Sequence, residues 1–178
     1  MDSDLGFVKF GVALFAILNP IGVAPLYLAL TEDDDAATRR RIALIAAVSV
    51  AVTLAVVMFA GRQLLALFSI SVNDLRVAGG LIVLLIALSM LQGQPSAVHT
   101  SEADLQDGKK KASPAVVPLA IPMVSGPGAM ATVIVTAGEA KSIVGHAVLL
   151  GVILVNALVC YVMFRLAVPL DRRLGASG

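Results

Sequence analysis

The chain has 178 residues, of which 58% are hydrophobic and only 14% charged, against roughly a quarter charged in an ordinary soluble domain. Its mean hydropathy is +0.94, and so small a body has too little interior to hide that much apolar side chain from water. Thirteen basic against twelve acidic residues leave no field to draw DNA, RNA or an acidic partner, so a soluble globular domain, a disordered tail and a nucleic-acid binder are all excluded.

What remains is a chain composed for lipid. A helix needs ~20 apolar residues to cross about 30 Å of hydrocarbon, and charge-free stretches mark five candidates. The first lies between Lys9 and Glu32, the second between Arg41 and Arg62. The third runs from Arg76 to about Leu91, the fourth from about Pro114 to Gly138, and the fifth from Ser142 to Phe164. The apolar piece Gln63–Ile70 is too short to cross alone. It is expected either to extend the second helix or to form a short interfacial segment.

Orientation follows from Lys and Arg in alternate connections. Arg39–Arg41, Lys109–Lys111 and the tail after Phe164 hold nine; the opposite set, Lys9, Arg62, Arg76 and Lys141, holds four. The N-terminus is therefore expected outside and the C-terminus in the cytoplasm. Tyr27 and Tyr161 fall near the predicted cytoplasmic interface. The basic runs read as solvated anchors. As organisation this predicts one transmembrane domain over 1–178. It divides into a three-span unit (1–93), a polar cytoplasmic linker (94–113), a two-span unit (114–164) and a cytoplasmic tail (165–178).

Five of the eight prolines lie inside two of the spans: Pro20 and Pro25 in the first, Pro118, Pro122 and Pro127 in the fourth. An interior proline removes a backbone bond and clashes with the preceding turn, and lipid offers the freed groups no water. A plain lipid-facing anchor would not collect such residues. With Asn19-Pro20-Ile21-Gly22 in one span and Ser125-Gly126-Pro127-Gly128 in the other, the pattern predicts two helices broken near mid-membrane.

Laying Pro20 on Pro127 puts Asn19 on Gly126 and Ala24 on Ala131. A three-span unit that starts outside is followed by one that starts inside, so the two units run in opposite directions. Interrupted helices at matching places in inverted repeats point to a transporter binding site; the alternative is two kinks that only shape packing. Helix N-termini suit a carboxylate, freed carbonyls suit an ammonium group, and the spans carry no charged residue as a counter-ion. A small zwitterion fits best. The candidate binding residues are Asn19, Pro20, Gly22, Ser125, Gly126, Pro127, Gly128 and Thr132, with Thr136 as a further hydroxyl. Asn156 is either a further lining group or an interhelical hydrogen bond.

Ala43, Ala47, Ala51 and Ala55 form a small-residue stripe for close helix approach, and Gly79-Gly80 and Ala147 with Gly151 are expected to do the same. Cys160 is the one cysteine, so no internal disulfide can form. The two histidines and one cysteine lack zinc spacing, and no metal or cofactor is expected. Ser125 with His146 is a poor dyad: Met123 stands where an intramembrane serine protease has glycine, and the two differ in depth. The chain is not expected to be an enzyme.

At these residues the sequence resembles the MarC family of bacterial multi-pass membrane proteins, also classed as neutral amino acid transporters. The matching motifs are Asn19-Pro20-Ile21-Gly22 with Ala24-Pro25, Arg76-Val77-Ala78-Gly79-Gly80, and Pro118-Leu119-Ala120-Ile121-Pro122 running into Gly126-Pro127-Gly128-Ala129. The resemblance implies an inner-membrane, all-α integral membrane protein whose helical bundle is built of two inverted three-helix repeats. It also implies movement of glycine, alanine or similar small neutral amino acids, with export as one direction. The family pattern carries a sixth span. The tail from Arg165, with Pro169, Asp171, Arg172 and Arg173, is expected not to cross. That leaves the second repeat without its last helix, or with a partner helix or second copy of the chain in its place. The other reading is a non-transporting subunit or regulatory protein of a larger membrane assembly.

Overall fold

The computed structural model describes residues 4–92, 125–140 and 142–174, and every regular element among them is a helix. The linker 94–113, Pro118 and Pro122 lie outside the described residues. The first span is two helices, α1 (Asp4–Leu18) and α2 (Pro20–Leu30). Between them Asn19 takes the left-handed conformation, φ 44° and ψ 56°, which asparagine tolerates better than most residues. Pro20 has no N–H, so the carbonyl of Ala16 has no i+4 donor. The Gly22 amide donates to Asn19 Oδ1 at 3.2 Å, and the backbone ladder resumes with Val23 N–H to the Asn19 carbonyl. Pro25 sits inside α2 without ending it.

Thr31 closes α2 by donating its hydroxyl to the Tyr27 carbonyl at 2.8 Å. After a short acidic turn, α3 (Ala36–Leu67) opens at Asp35, whose carboxylate accepts from Thr38 N–H at 2.9 Å. Hydrogen bonds from Thr38 hold that carboxyl below the usual aspartate range. With 32 residues, α3 is about 48 Å long. It overruns the expected second span at both ends, and Gln63–Leu67 is its extension. The chain then turns through Ser69, at φ 55°, into α4 (Val72–Leu91). Ser71 and Asp74 bracket that start reciprocally: Asp74 N–H donates to Ser71 Oγ and Ser71 N–H to Asp74 Oδ2, a capping box that lowers the Asp74 pKa.

The remaining helices are α5 (Pro127–Glu139) and α6 (Ile143–Leu174). The expected tail after Phe164 is for most of its length a continuation of α6, through Pro169 to Leu174. Packing explains why: Phe164 is buried and Val168 still packs on the core, so the helix keeps a partner beyond the apolar stretch.

In the bundle, α6 packs against α1, α2 and α3, while α5 packs against α1, α3 and α4. Ala43, Ala46, Ala47, Val50, Leu54 and Met58 form the buried face of α3; Leu44, Val48, Val52, Val56 and Phe59 face outward. A helix apolar on every side belongs in lipid. Gly6–Leu30, Ala36–Leu67 and Ile143–Pro169 are long and apolar enough to cross a membrane. The 13 residues of α5 cover about 20 Å, two thirds of the hydrocarbon.

The small-residue expectation divides. Ala43 and Ala47 are buried in the core, and a Cβ on Gly79 would stand 2.7 Å from Ala131 Cβ. Ala147 and Gly151, by contrast, are exposed, and a Cβ on Gly151 would meet nothing within 4 Å. The tight contact between α1 and α6 is made instead by Gly11, whose Cβ would lie 3.3 Å from Val152.

Candidate functional site

Two helix starts are led by proline, but their caps differ: Asn19 is left-handed and its side chain caps the helix, whereas Gly126 is extended and makes no side-chain cap bond. In α2 the N-cap is Asn19 and Pro20 follows; in α5 the N-cap is Gly126 and Pro127 follows. Proline suits the first helical position because its missing N–H would be unpaired there anyway. The two helices then leave in opposite directions. The far end of α2 holds Tyr27, which shares a cavity with Arg39 and Arg165. The far end of α5 holds Glu139, paired with Arg76, and Ala137 beside Arg62, Gln63 and His146. Both N-termini therefore lie away from the two ends of the bundle, each carrying the positive end of a helix dipole.

Their levels correspond. Gly128, in the first turn of α5, lies against α1 two residues before its break. A Cβ there would be 3.5 Å from Ile17 Cγ2 and 3.1 Å from Val83 Cγ2. Ser125, Gly126 and Gly128 are buried, as is Pro20; Asn19 and Thr132 are partly buried; Gly22 and Pro127 are exposed. The half-helix expected upstream of Ser125 lies outside the described residues.

Gly22 abuts Asn19 closely. A Cβ on Gly22 would lie 2.2 Å from Asn19 Nδ2 and 2.9 Å from its Cγ. Gly22→Ala is therefore expected to evict the Asn19 side chain and lose its bond to the Gly22 amide, costing ~1 kcal/mol, as loss of an N-cap does. Thermal unfolding in detergent checks this against Asn19→Gly, which keeps the left-handed backbone and should lose only about 0.3 kcal/mol.

A cavity of about 310 Å³ opens between α4 and α5, lined by Arg76, Gly79, Gly80, Ala131, Thr132 and Thr136 among others. It begins one turn along α5 from Gly128, so of the eight candidate residues it includes Thr132. The Thr132 hydroxyl donates to the Gly128 carbonyl at 2.8 Å. With its proton committed, that oxygen can only accept from a guest. Thr136 is buried deeper. Arg76 and Glu139 form an ion pair at the far end of this cavity, linking α4 to α5.

Sequence reasoning passed over that pair, 63 positions apart, although the alternation of spans puts both residues at the same end of the bundle. It also left the basic run at the start of α3 as a solvated anchor. Instead, Arg39 donates Nε to the Asp34 carbonyl and Nη2 to the Glu32 carbonyl, and its own carbonyl accepts from the Tyr27 hydroxyl at 2.9 Å. Asn156 makes no interhelical bond among the described residues: its Nδ2 donates to the Val152 carbonyl one turn back. It lines an apolar groove between α1 and α6, away from α5. His146 bonds through Nδ1 to the Ser142 carbonyl at 3.0 Å and shares a cavity of about 430 Å³ with Arg62. No group of His, Cys, Asp or Glu among the described residues could hold a metal ion.

Comparison with known proteins points to an integral membrane protein. A family described as MarC family integral membrane protein matches residues 6–178. The UPF0056 membrane protein YhcE of Escherichia coli is 36% identical over 172 residues, covering 97% of this chain and 80% of the relative. The UPF0056 membrane protein YvbG of Bacillus subtilis is 39% identical over 170 residues, 93% of this chain and 79% of that protein. In the archaeon Methanocaldococcus jannaschii, the UPF0056 membrane protein MJ1677 is 32% identical over 180 residues, 100% of this chain and 86% of the relative. No solved structure matches the chain.

Proposed function

The chain belongs to the MarC family of integral membrane proteins, and from that membership and its two opposed half-helices we propose that it carries small neutral amino acids, such as glycine and alanine, across the bacterial inner membrane. The observation that supports this reading most is the meeting of the first turn of α5 with the end of α1 at Gly128 and Ile17. That contact sets the first turn of α5 near the end of α1, two residues before the start of the break, which supports a shared site for the two starts.

Two such termini favour the carboxylate of a zwitterion. The acceptor oxygen of Thr132, one turn along, suits its ammonium group. Asn19, Ser125 and Gly126 offer neutral polar groups, and Gly22 and Gly128 let a small guest approach the backbone. Matching proline-led starts in opposite directions also favour a pair of inverted repeats, with the N-terminus outside and net movement outward. Transport then needs one of the two starts to shift against the other, exposing the site to each face in turn.

Flux of labelled glycine or alanine in vesicles holding the purified chain tests this. Wild type should exceed empty vesicles, and Gly126→Leu and Asn19→Leu should each bring flux to background at equal protein content. Unchanged flux in both variants removes this site. Absence of flux in the wild type, together with a stable hetero-complex in native membranes, favours the non-transporting subunit.

A further inference from the structure

At the end of the bundle where α2, α3 and α6 meet, a cavity of about 450 Å³ is lined by Tyr27, Arg39, Arg40, Arg165, Val168 and Pro169, with the first residues of α3 at its edge. Three arginines from two helices line it. Among the described residues none of the three is in an ion pair; the pair that is formed, Arg76 with Glu139, belongs to the opposite end. Arg39 is held by neutral carbonyls. Arg165 donates Nη1 to the Tyr161 hydroxyl at 3.2 Å, with its guanidinium carbon 5.9 Å from that ring's centre. Arg40 is near enough to act on the same hydroxyl through space. Asp34 is near enough to act on Tyr27 through space, but it contacts none of the three arginines closely enough to pair.

Like charges gathered at the edge of a low-dielectric slab repel one another unless an anion joins them. The walls describe that anion. Arg40 and Arg165 supply a basic side, and Val168 and Pro169 supply an apolar side, at the level where interfacial tyrosines sit. A phosphate group carrying an acyl chain matches both, and basic pockets between helices at a membrane face bind such headgroups.

We propose that this pocket binds the phosphodiester headgroup of an anionic phospholipid, with Arg40 and Arg165 holding the phosphate and Arg39 keeping the preceding turn in place. The bound lipid bridges the start of α3 to the end of α6. This goes beyond the transport reading and does not depend on it.

Native mass spectrometry and thermal unfolding of the full chain in detergent, with phosphatidylglycerol, phosphatidylcholine or inorganic phosphate added, test it. Phosphatidylglycerol should remain bound and raise the unfolding midpoint, while phosphatidylcholine should do neither. Arg40→Gln and Arg165→Gln should each weaken phosphatidylglycerol binding about fivefold, and the pair about thirtyfold. Arg41→Gln makes the same charge change at an exposed position that does not line the pocket, and should leave binding unchanged. Both pocket arginines are exposed, so the single variants serve if the pair fails to fold. Equal retention of the two lipids overturns the proposal, as does an Arg41→Gln loss equal to that of Arg40→Gln. A midpoint shift by inorganic phosphate as large as that by phosphatidylglycerol assigns the pocket to a soluble phosphate and overturns the lipid.

Discussion

Tyr27→Ala is expected to destabilise the folded bundle by about 3 kcal/mol, the low end of the aqueous range for aromatic truncation. Tyr27 is fully buried, stacked on Phe164 with ring centres 5.1 Å apart and planes 16° from parallel. It joins three helices: its backbone is in α2, its ring lies on α6, and its hydroxyl reaches the Arg39 carbonyl in α3. In lipid the unfolded reference keeps its helices in hydrocarbon, so the transfer part of the aqueous cost falls away and lost packing remains. Tyr27→Phe removes only the hydroxyl bond and should cost about 1 kcal/mol. A double-mutant cycle with Phe164→Ala should give a coupling of about 1 kcal/mol, as ring pairs do beyond their burial. Unfolding in mixed detergents gives these values. Tyr27→Ala no worse than Tyr27→Phe would show that the stack contributes nothing.

The parts of this fold that were legible in the sequence are those decided within a few residues. Asn19-Pro20 breaks its helix because a missing N–H, a left-handed asparagine and a side-chain cap all act inside one turn; Gly126-Pro127 shares only the proline, which suits the first helical position after an extended glycine. Of the five expected spans, the first, second and fifth correspond to stretches long and apolar enough to cross, and they were legible because hydrocarbon tolerates charge so poorly. What failed was whatever depends on the rotation of one helix against another. Gly79-Gly80 reads as a contact point, but not that Gly79 meets Ala131 while Gly80 meets nothing within 4 Å. Ala147 and Gly151 have the same spacing as true contact residues, yet face outward. The tail after Phe164 was read only as a segment that does not cross, and its helical continuation to Leu174 rests on packing that persists where the apolar stretch ends. The same limit applies to the candidate site. Its two helix starts were visible as motifs, whereas the cavity beside Thr132 exists because α4 lies across α5, a pairing no local pattern encodes.

That pairing has a sharp test at the crossing of α4 and α5. Gly79→Ala should destabilise the bundle by ~1–3 kcal/mol, the usual cost of overpacking, although alanine is the better helix former by about 1 kcal/mol. The new methyl would stand 2.7 Å from Ala131 Cβ. A β-carbon is fixed to its backbone and has no rotamer to escape into, so the two helices must separate or shift. Ala131→Gly takes the obstructing methyl away. Alone it should cost little more than its helix propensity; combined with Gly79→Ala it should restore most of the lost stability, because the pair then holds one methyl in the gap, as the wild type does. Gly80→Ala, one position on and with open space around it, should be neutral or slightly stabilising. Thermal unfolding of the four proteins closes the cycle, and additivity of Gly79→Ala and Ala131→Gly would mean that the helices do not cross there. Since Gly79 and Ala131 also line the cavity with Thr132, the rescued pair should recover amino acid flux along with stability if the cavity serves the proposed site. Recovery of stability without flux would separate the packing of the bundle from its passage of substrate.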